Sequence, residues 1–259
     1  MMKAGRNSIR RNRNIGTAKS GHGQNNQLVI VERSTPFWAA LTEYSVVERR
    51  IKDRSFTFIV ERTRAEYAHA CTVDDLIFLL SHLGPRELAD FSLVILRQPK
   101  RKEEILASVW GRAVFWVSID KHEGPAVFLD AFDPTKPIRW SRSLTPDDRQ
   151  ELERLREDGH QITTNSRAHI VHPTLETIRA TQLYRTLLHE IGHHVDYRRG
   201  GYDAWENKSG TDKEKFAHHF ADRKREQLLK QGVIPFDRIL VPGSLKSDGL
   251  NLTDFISEV

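Results

Sequence analysis

The sequence predicts an α+β fold, with a mixed sheet in the N-terminal half and helices in the C-terminal half. Three observations predict it. Short runs rich in β-branched and aromatic residues cluster before residue 130, and long helical patterns dominate after residue 174. The two kinds of segment do not alternate regularly, which excludes a chain of βαβ units. The 259 residues, 38% apolar, can bury a sizeable core and are too apolar for a disordered chain. The single cysteine, Cys71, excludes an internal disulfide framework and makes a reducing, cytoplasmic setting the default. No apolar run approaches the roughly 18 residues of a membrane helix, and no apolar stretch follows the basic N-terminus as a secretory signal would.

In chain order, residues 1–27 come first. They contain Lys3, Arg6, Arg10, Arg11, Arg13 and Lys19 and no Asp or Glu. The net charge of +5 therefore belongs to this arm, since the remaining 34 Lys and Arg face 35 Asp and Glu. Rich in Gly, Asn, Ser and Gln, the arm is expected to be disordered. It reads as a solubilising start; a contact with nucleic-acid phosphates is the second reading. Residues 28–259 read as one domain, sheet-rich over 28–140 and helical over 141–259. Ordered structure is expected from Gln27-Leu28-Val29-Ile30-Val31. Strands are predicted at Phe56–Val60, Phe91–Leu96, Ala113–Ile119 and Ala126–Leu129, the last two joined as a hairpin through Lys121–Pro125. Thr72-Val73-Asp74-Asp75 has the form of a capping box that starts a helix over Leu76–Leu83. Thr145–Asp158 reads as a charged, solvent-facing helix. Strands are expected to stop there, with helices over about 174–199 and 211–231.

The informative segment is Leu187-Leu188-His189-Glu190-Ile191-Gly192-His193-His194-Val195-Asp196. Apolar positions at Ile178, Leu183, Leu187, Leu188, Ile191 and Val195 keep helical spacing around a His-Glu-x-x-His pattern. Composition alone gives that pattern a chance expectation of about 0.04 in this chain. Four residues apart on a helix, His189 and His193 share a face and can share a metal. Two imidazoles and a carboxylate suit zinc with one position left for water, and Glu190 stands beside the first ligand to take that water's proton. Gly192 weakens the helix by about 1 kcal/mol relative to Ala, which points to close packing. A third ligand is expected from Glu214-Lys215-Phe216-Ala217-His218-His219-Phe220-Ala221. Ala217 and Ala221 would let this second helix approach the first. Glu214 is the preferred ligand and His218 its rival, ahead of Asp222 and His219. Thr211–Glu214 would make a capping box that occupies Glu214; Ser209–Asp212 would cap the helix and leave it free.

With these residues the chain resembles the gluzincin-type zinc metallopeptidases, among them the ImmA/IrrE-type peptidases and the catalytic domain of anthrax lethal factor. Those families pair a His-Glu-x-Gly-His helix with a later Glu-x-x-Ala/Phe-x-x-Phe-Ala helix, here Glu214-x-x-Ala217-x-x-Phe220-Ala221. The likeness covers about residues 180–225. It implies a zincin-like fold, Zn2+ held by His189, His193 and Glu214, and Glu190 as catalytic base; the substrates of those families do not carry over. The chemistry expected of these residues is hydrolysis of a protein or peptide, internal cleavage ahead of terminal. A peptidase also needs a donor for the oxyanion; Tyr202, His218 and Tyr197 are the candidates. Asp196 shares the metal-facing side and is read either as a partner of a ligand imidazole or as a surface charge at the helix end. His194 is expected to be structural or exposed. His169 and His172 read as surface-strand residues, and Trp110, Trp116 and Trp140 as core. The rival reading is a regulatory protein that contains a metal, binds nucleic acid through residues 1–27 and cleaves nothing.

Overall fold

Two antiparallel hairpins and a central strand build the main sheet. In a computed structural model, which describes residues 41–101 and 110–256, β1 (Tyr44–Ile51) turns at Lys52, whose φ is +55°, and pairs with β2 (Arg54–Glu61). The basic arm and the predicted onset at Gln27–Val31 lie outside the described residues. Helices α1 (Val73–Ser81) and α2 (Pro85–Leu88) carry the chain over to β3 (Leu93–Arg97), parallel to β2. Then β4 (Gly111–Ile119) and β5 (His122–Asp130) form the second hairpin. The order is β1-β2-β3-β5-β4, with β5 parallel to β3, so the sheet is mixed and β4 lies at one edge among the described residues. Every residue of β3 is buried, as expected of a central strand covered on both faces.

The α1 capping box forms as its sequence predicts: Thr72 Oγ1 accepts from the Asp75 amide at 3.0 Å, and Asp75 Oδ2 accepts from the Thr72 amide at 3.0 Å. Leu76, Leu79 and Leu80 then bury fully with Phe56, Phe58, Val94 and Leu129 of the sheet. The 113–129 hairpin is tighter than expected. Its turn is Asp120-Lys121, with Asp120 at φ +50°, and the strand runs on through His122–Pro125.

Strands do not stop at residue 158. A second sheet of order β6-β8-β7 comprises β6 (Ile138–Ser141), β7 (Gln161–Thr164) and β8 (Ala168–His172). Helix α3 (Pro146–Glu157), capped by Thr145, shows its charges outward, but Leu152 and Leu155 are buried against Val171, Ile138 and Trp140. This sheet escapes sequence reading because two of its three strands are only four residues long, too short for an alternating pattern to register.

The helical part follows. Helix α4 (Leu175–Thr181) passes through a π-turn (Gln182–Thr186) into α5 (Leu187–Asn207), which breaks at Gly201 (φ +69°). Then come α6 (Gly210–Lys230) and α7 (Pro242–Ser247). Leu183, Leu187, Leu188, Ile191 and Val195 are buried in the same core as α1. The fold is thus mixed α/β, with its large sheet early and its long helices late. Among the described residues no helix is long and apolar enough to cross a membrane.

Candidate metal centre

Burying Leu187, Leu188, Ile191 and Val195 turns His189 and His193 to the other side of α5. Their Nε2 atoms lie 3.1 Å apart. The carboxylate comes from α6. Ser209 Oγ accepts from the Asp212 amide at 3.1 Å and so caps α6, which leaves Glu214 free of capping, the second of the two arrangements open in the sequence. Glu214 Oε2 is 3.2 Å from His189 Nε2, and Oε1 is 3.6 Å from His193 Nε2. Donors bound at about 2.1 Å to a tetrahedral zinc stand roughly 3.4 Å apart. The 3.1 Å between the imidazoles, and the 3.2 and 3.6 Å from them to the two Glu214 oxygens, are separations of that size. Among the described residues these three are the His, Cys, Asp and Glu side chains gathered closely enough to hold a metal.

Protonation suits ligation. Burial, then the neighbouring His189, holds His193 well below the usual imidazole range, so it is neutral. The hydrogen bond from His189 holds Glu214 below the usual carboxylate range, so it is ionised. His218 lies beside the cluster, its ring 4.4 Å from that of His189 and its Nδ1 3.4 Å from Arg154 Nη1. Burial pushes its pKa down to about 4. It stands next to the triad and outside it.

Close approach of the two helices depends on Gly192. A Cβ there would lie 3.0 Å from Ala217 Cα, 3.2 Å from the Ala217 carbonyl oxygen and 3.2 Å from the Phe220 ring. Gly192→Leu is therefore expected to push α6 away and carry Glu214 with it. The loss should be about 1–3 kcal/mol of stability and at least about tenfold in metal affinity, the scale seen when groups behind metal ligands are disturbed. Chelator competition measures it; unchanged affinity would show that Gly192 does not set the Glu214 position.

Glu190, next to His189, is 8% exposed and accepts a hydrogen bond from the Ala113 amide of β4. Burial pushes its carboxyl up to about 7. Two cavities meet at His189 and Glu190. One of about 330 Å³ extends past Trp110, Arg154 and His218; the other, of about 460 Å³, runs along Gly111-Arg112-Ala113 to Trp205 and Glu214. The strand beside the cluster is thus β4, at the edge of the large sheet, and not the His169–His172 segment. Gly111 permits this closeness, since a Cβ there would lie 2.7 Å from Thr186 Cγ2.

Other expected residues lie elsewhere. Tyr202 follows the Gly201 break, is 64% exposed and lines neither cavity. Tyr197 stacks on Phe115 at 4.3 Å. Asp196 is 3% exposed and pairs with Lys208, so it is neither a surface charge nor bonded to an imidazole. His189 Nδ1 and His193 Nδ1 are buried with no partner among the described residues. His194 is structural: its Nε2 is 3.0 Å from the Ala126 carbonyl oxygen, and its ring stacks on Phe91. His172 is exposed on β8, but His169 is buried against Thr164 and Arg142. Trp110 stacks on Phe132 and Trp140 packs on the small sheet's core, whereas Trp116, at an irregularity in the β4–β5 pairing, is 63% exposed. Trp205 and Arg154 carried no sequence signal for the site. Trp205 reaches within 5.9 Å of His193 ring to ring, and Arg154 lies on α3, which the sequence places far from the motif.

Family models, curated proteins and solved structures were compared with this chain, and none matches.

Proposed function

We propose that this chain is a zinc-dependent metallopeptidase of zincin-like architecture. The observation that carries the reading is the convergence of His189, His193 and Glu214, with the Glu190 carboxyl buried beside them at the meeting of two cavities. Zinc, when bound, would supply Lewis acidity for a water and a substrate carbonyl. The chain's own groups do the rest. Glu190, oriented by the Ala113 amide, accepts the proton of the attacking water and returns it to the leaving amine. His218, beside His189 and lining the first cavity with Glu190, is placed to donate to the developing oxyanion.

A peptide is favoured over a small amide by β4. Its Gly111–Ala113 stretch lines the second cavity, and among the described residues β4 pairs on one side only. An extended segment can add there as a further strand and pass the cluster. Cavities on both sides of Glu190 leave room for chain before and after the scissile bond, which favours internal cleavage.

The test is zinc content of purified protein beside cleavage of an unstructured peptide library. Wild type is expected to hold close to one zinc per chain and to cleave. Glu214→Ala should lose most of both, because two imidazoles alone bind weakly. A wild type without zinc after reconstitution would overturn the reading.

A further inference from the structure

A second concave surface lies on the other side of α5. At 100° per residue, Val195, Arg198 and Arg199 sit between about 140° and 240° round the helix from His193. Together with α2 and α6 they enclose a cavity of about 410 Å³. Four arginines line it: Arg86 from α2, Arg198 and Arg199 from α5, and Arg223 from α6. Val195 and Phe220 form its apolar floor.

The carboxylates nearby are already committed. Glu87 pairs with Lys224, and the 3%-exposed Asp90 carboxylate pairs with Arg198 Nε at 2.7 Å. Arg198 also donates to the Arg86 carbonyl at 3.4 Å, so its guanidinium is held in place. Arg199 lies over the Phe216 ring at 5.5 Å and meets no carboxylate there. Arg86 and Arg223 have no ion-pair partner among the described residues. Three guanidinium charges therefore face one concavity uncompensated. Like charges gathered in a cleft focus a positive potential that an anion relieves.

We propose that this cavity is a phosphate-binding site, taking a phosphate monoester dianion. Guanidinium forks match phosphate oxygens two at a time, and several forks around one concavity favour a doubly charged group over a lone carboxylate. A water occupies about 30 Å³, so the space exceeds a lone phosphate several-fold and leaves room for the group that carries it.

The experiment is thermal unfolding of the full chain, wild type beside Arg86→Ala/Arg223→Ala. Both residues are exposed and unpaired, so the variant should melt like wild type without ligand. The probes are inorganic phosphate, a short phosphoserine peptide, the same peptide unphosphorylated, and sodium chloride at matched ionic strength. Near a hundredfold excess over Kd, phosphate-bearing probes should raise the wild-type Tm by about 5–10 °C. The variant should lose most of that shift. A stronger response to the peptide would assign the phosphate to a polypeptide; a response to the free ion alone would assign it to a small anion. Equal shifts in wild type and variant, or shifts matched by chloride or by the unphosphorylated peptide, would overturn the site.

Discussion

Glu190→Gln should leave zinc bound and reduce peptide cleavage by about 10²–10⁴-fold, the scale that a positioned general base contributes. Gln keeps the shape of the side chain and can still accept from the Ala113 amide, so the cavity walls should not move. What disappears is the ability to hold a proton between attack and departure of the amine. Stability supplies a second readout. Burial raises the Glu190 carboxyl from 4.5 to about 7. A carboxyl raised on folding favours the folded state fully only below its unfolded value. Metal-free wild type should therefore lose stability as pH rises from about 4.5 through 7, and Glu190→Gln should lack that loss. Zinc content, cleavage rate and the pH dependence of Tm check the three parts. Cleavage above a tenth of the wild-type rate would remove Glu190 from the mechanism.

Asp75→Ala is the stability counterpart. Asp75 is fully buried and its two oxygens serve four donors. They cap α1 through Thr72, receive Arg179 Nε and Nη2 at 3.0 and 2.8 Å, and receive the Ile239 amide at 2.9 Å. Arg179 in turn donates to the Phe236 carbonyl and lies 4.5 Å over the Phe236 ring. One carboxylate thus ties α1, α4 and the segment after α6 together. Removing it strands a buried guanidinium, a change that costs about 3–5 kcal/mol. Against a total of roughly 5–15 kcal/mol, that is a large share. Tm should fall by on the order of 10 °C. Adding Arg179→Met should recover part of the loss, since the stranded charge goes with it. A fall below about 2 °C would mean that the junction is held by its apolar neighbours alone.

The convergence of His189, His193 and Glu214, a cluster that could hold a metal, was legible in the sequence because its information is local. His189 and His193 sit four apart within an apolar period, and Gly192 with Ala217 announced the close helix pair that the distances bear out. The choice between two capping boxes was open in the letters and is settled by three-dimensional company: Glu214 meets two imidazoles. Strand β1 was not legible, because Glu48, Arg49 and Arg50 mask the alternation of an edge strand whose core contacts are Val47 and Ile51. The expected place of Tyr202 failed for a backbone reason, since Gly201 redirects the chain just before it. Nothing local could reveal Arg154 beside the cluster, because α3 reaches it only through tertiary packing.

The π-turn at Gln182–Thr186 has a consequence for how such a chain can change length. It carries one residue more than an α-helical turn would. Its Gln182 carboxamide is fixed to the Trp110 and Asp130 carbonyl oxygens at 3.2 and 2.7 Å. Upstream, Arg179 is locked to Asp75; downstream, His189 and His193 look at Glu214. The two stretches thus keep separate rotational phases along one continuous rod, and the extra residue is the offset between them. Losing any one residue of the five would turn everything after it by about 100°, swinging both imidazoles away from Glu214 while leaving each stretch locally helical. Point substitutions and single-residue deletions in this turn are therefore unequal events for the lineage. The first leave the rotational phase of the two stretches as it is, and the second dephase the imidazoles from their carboxylate in one step.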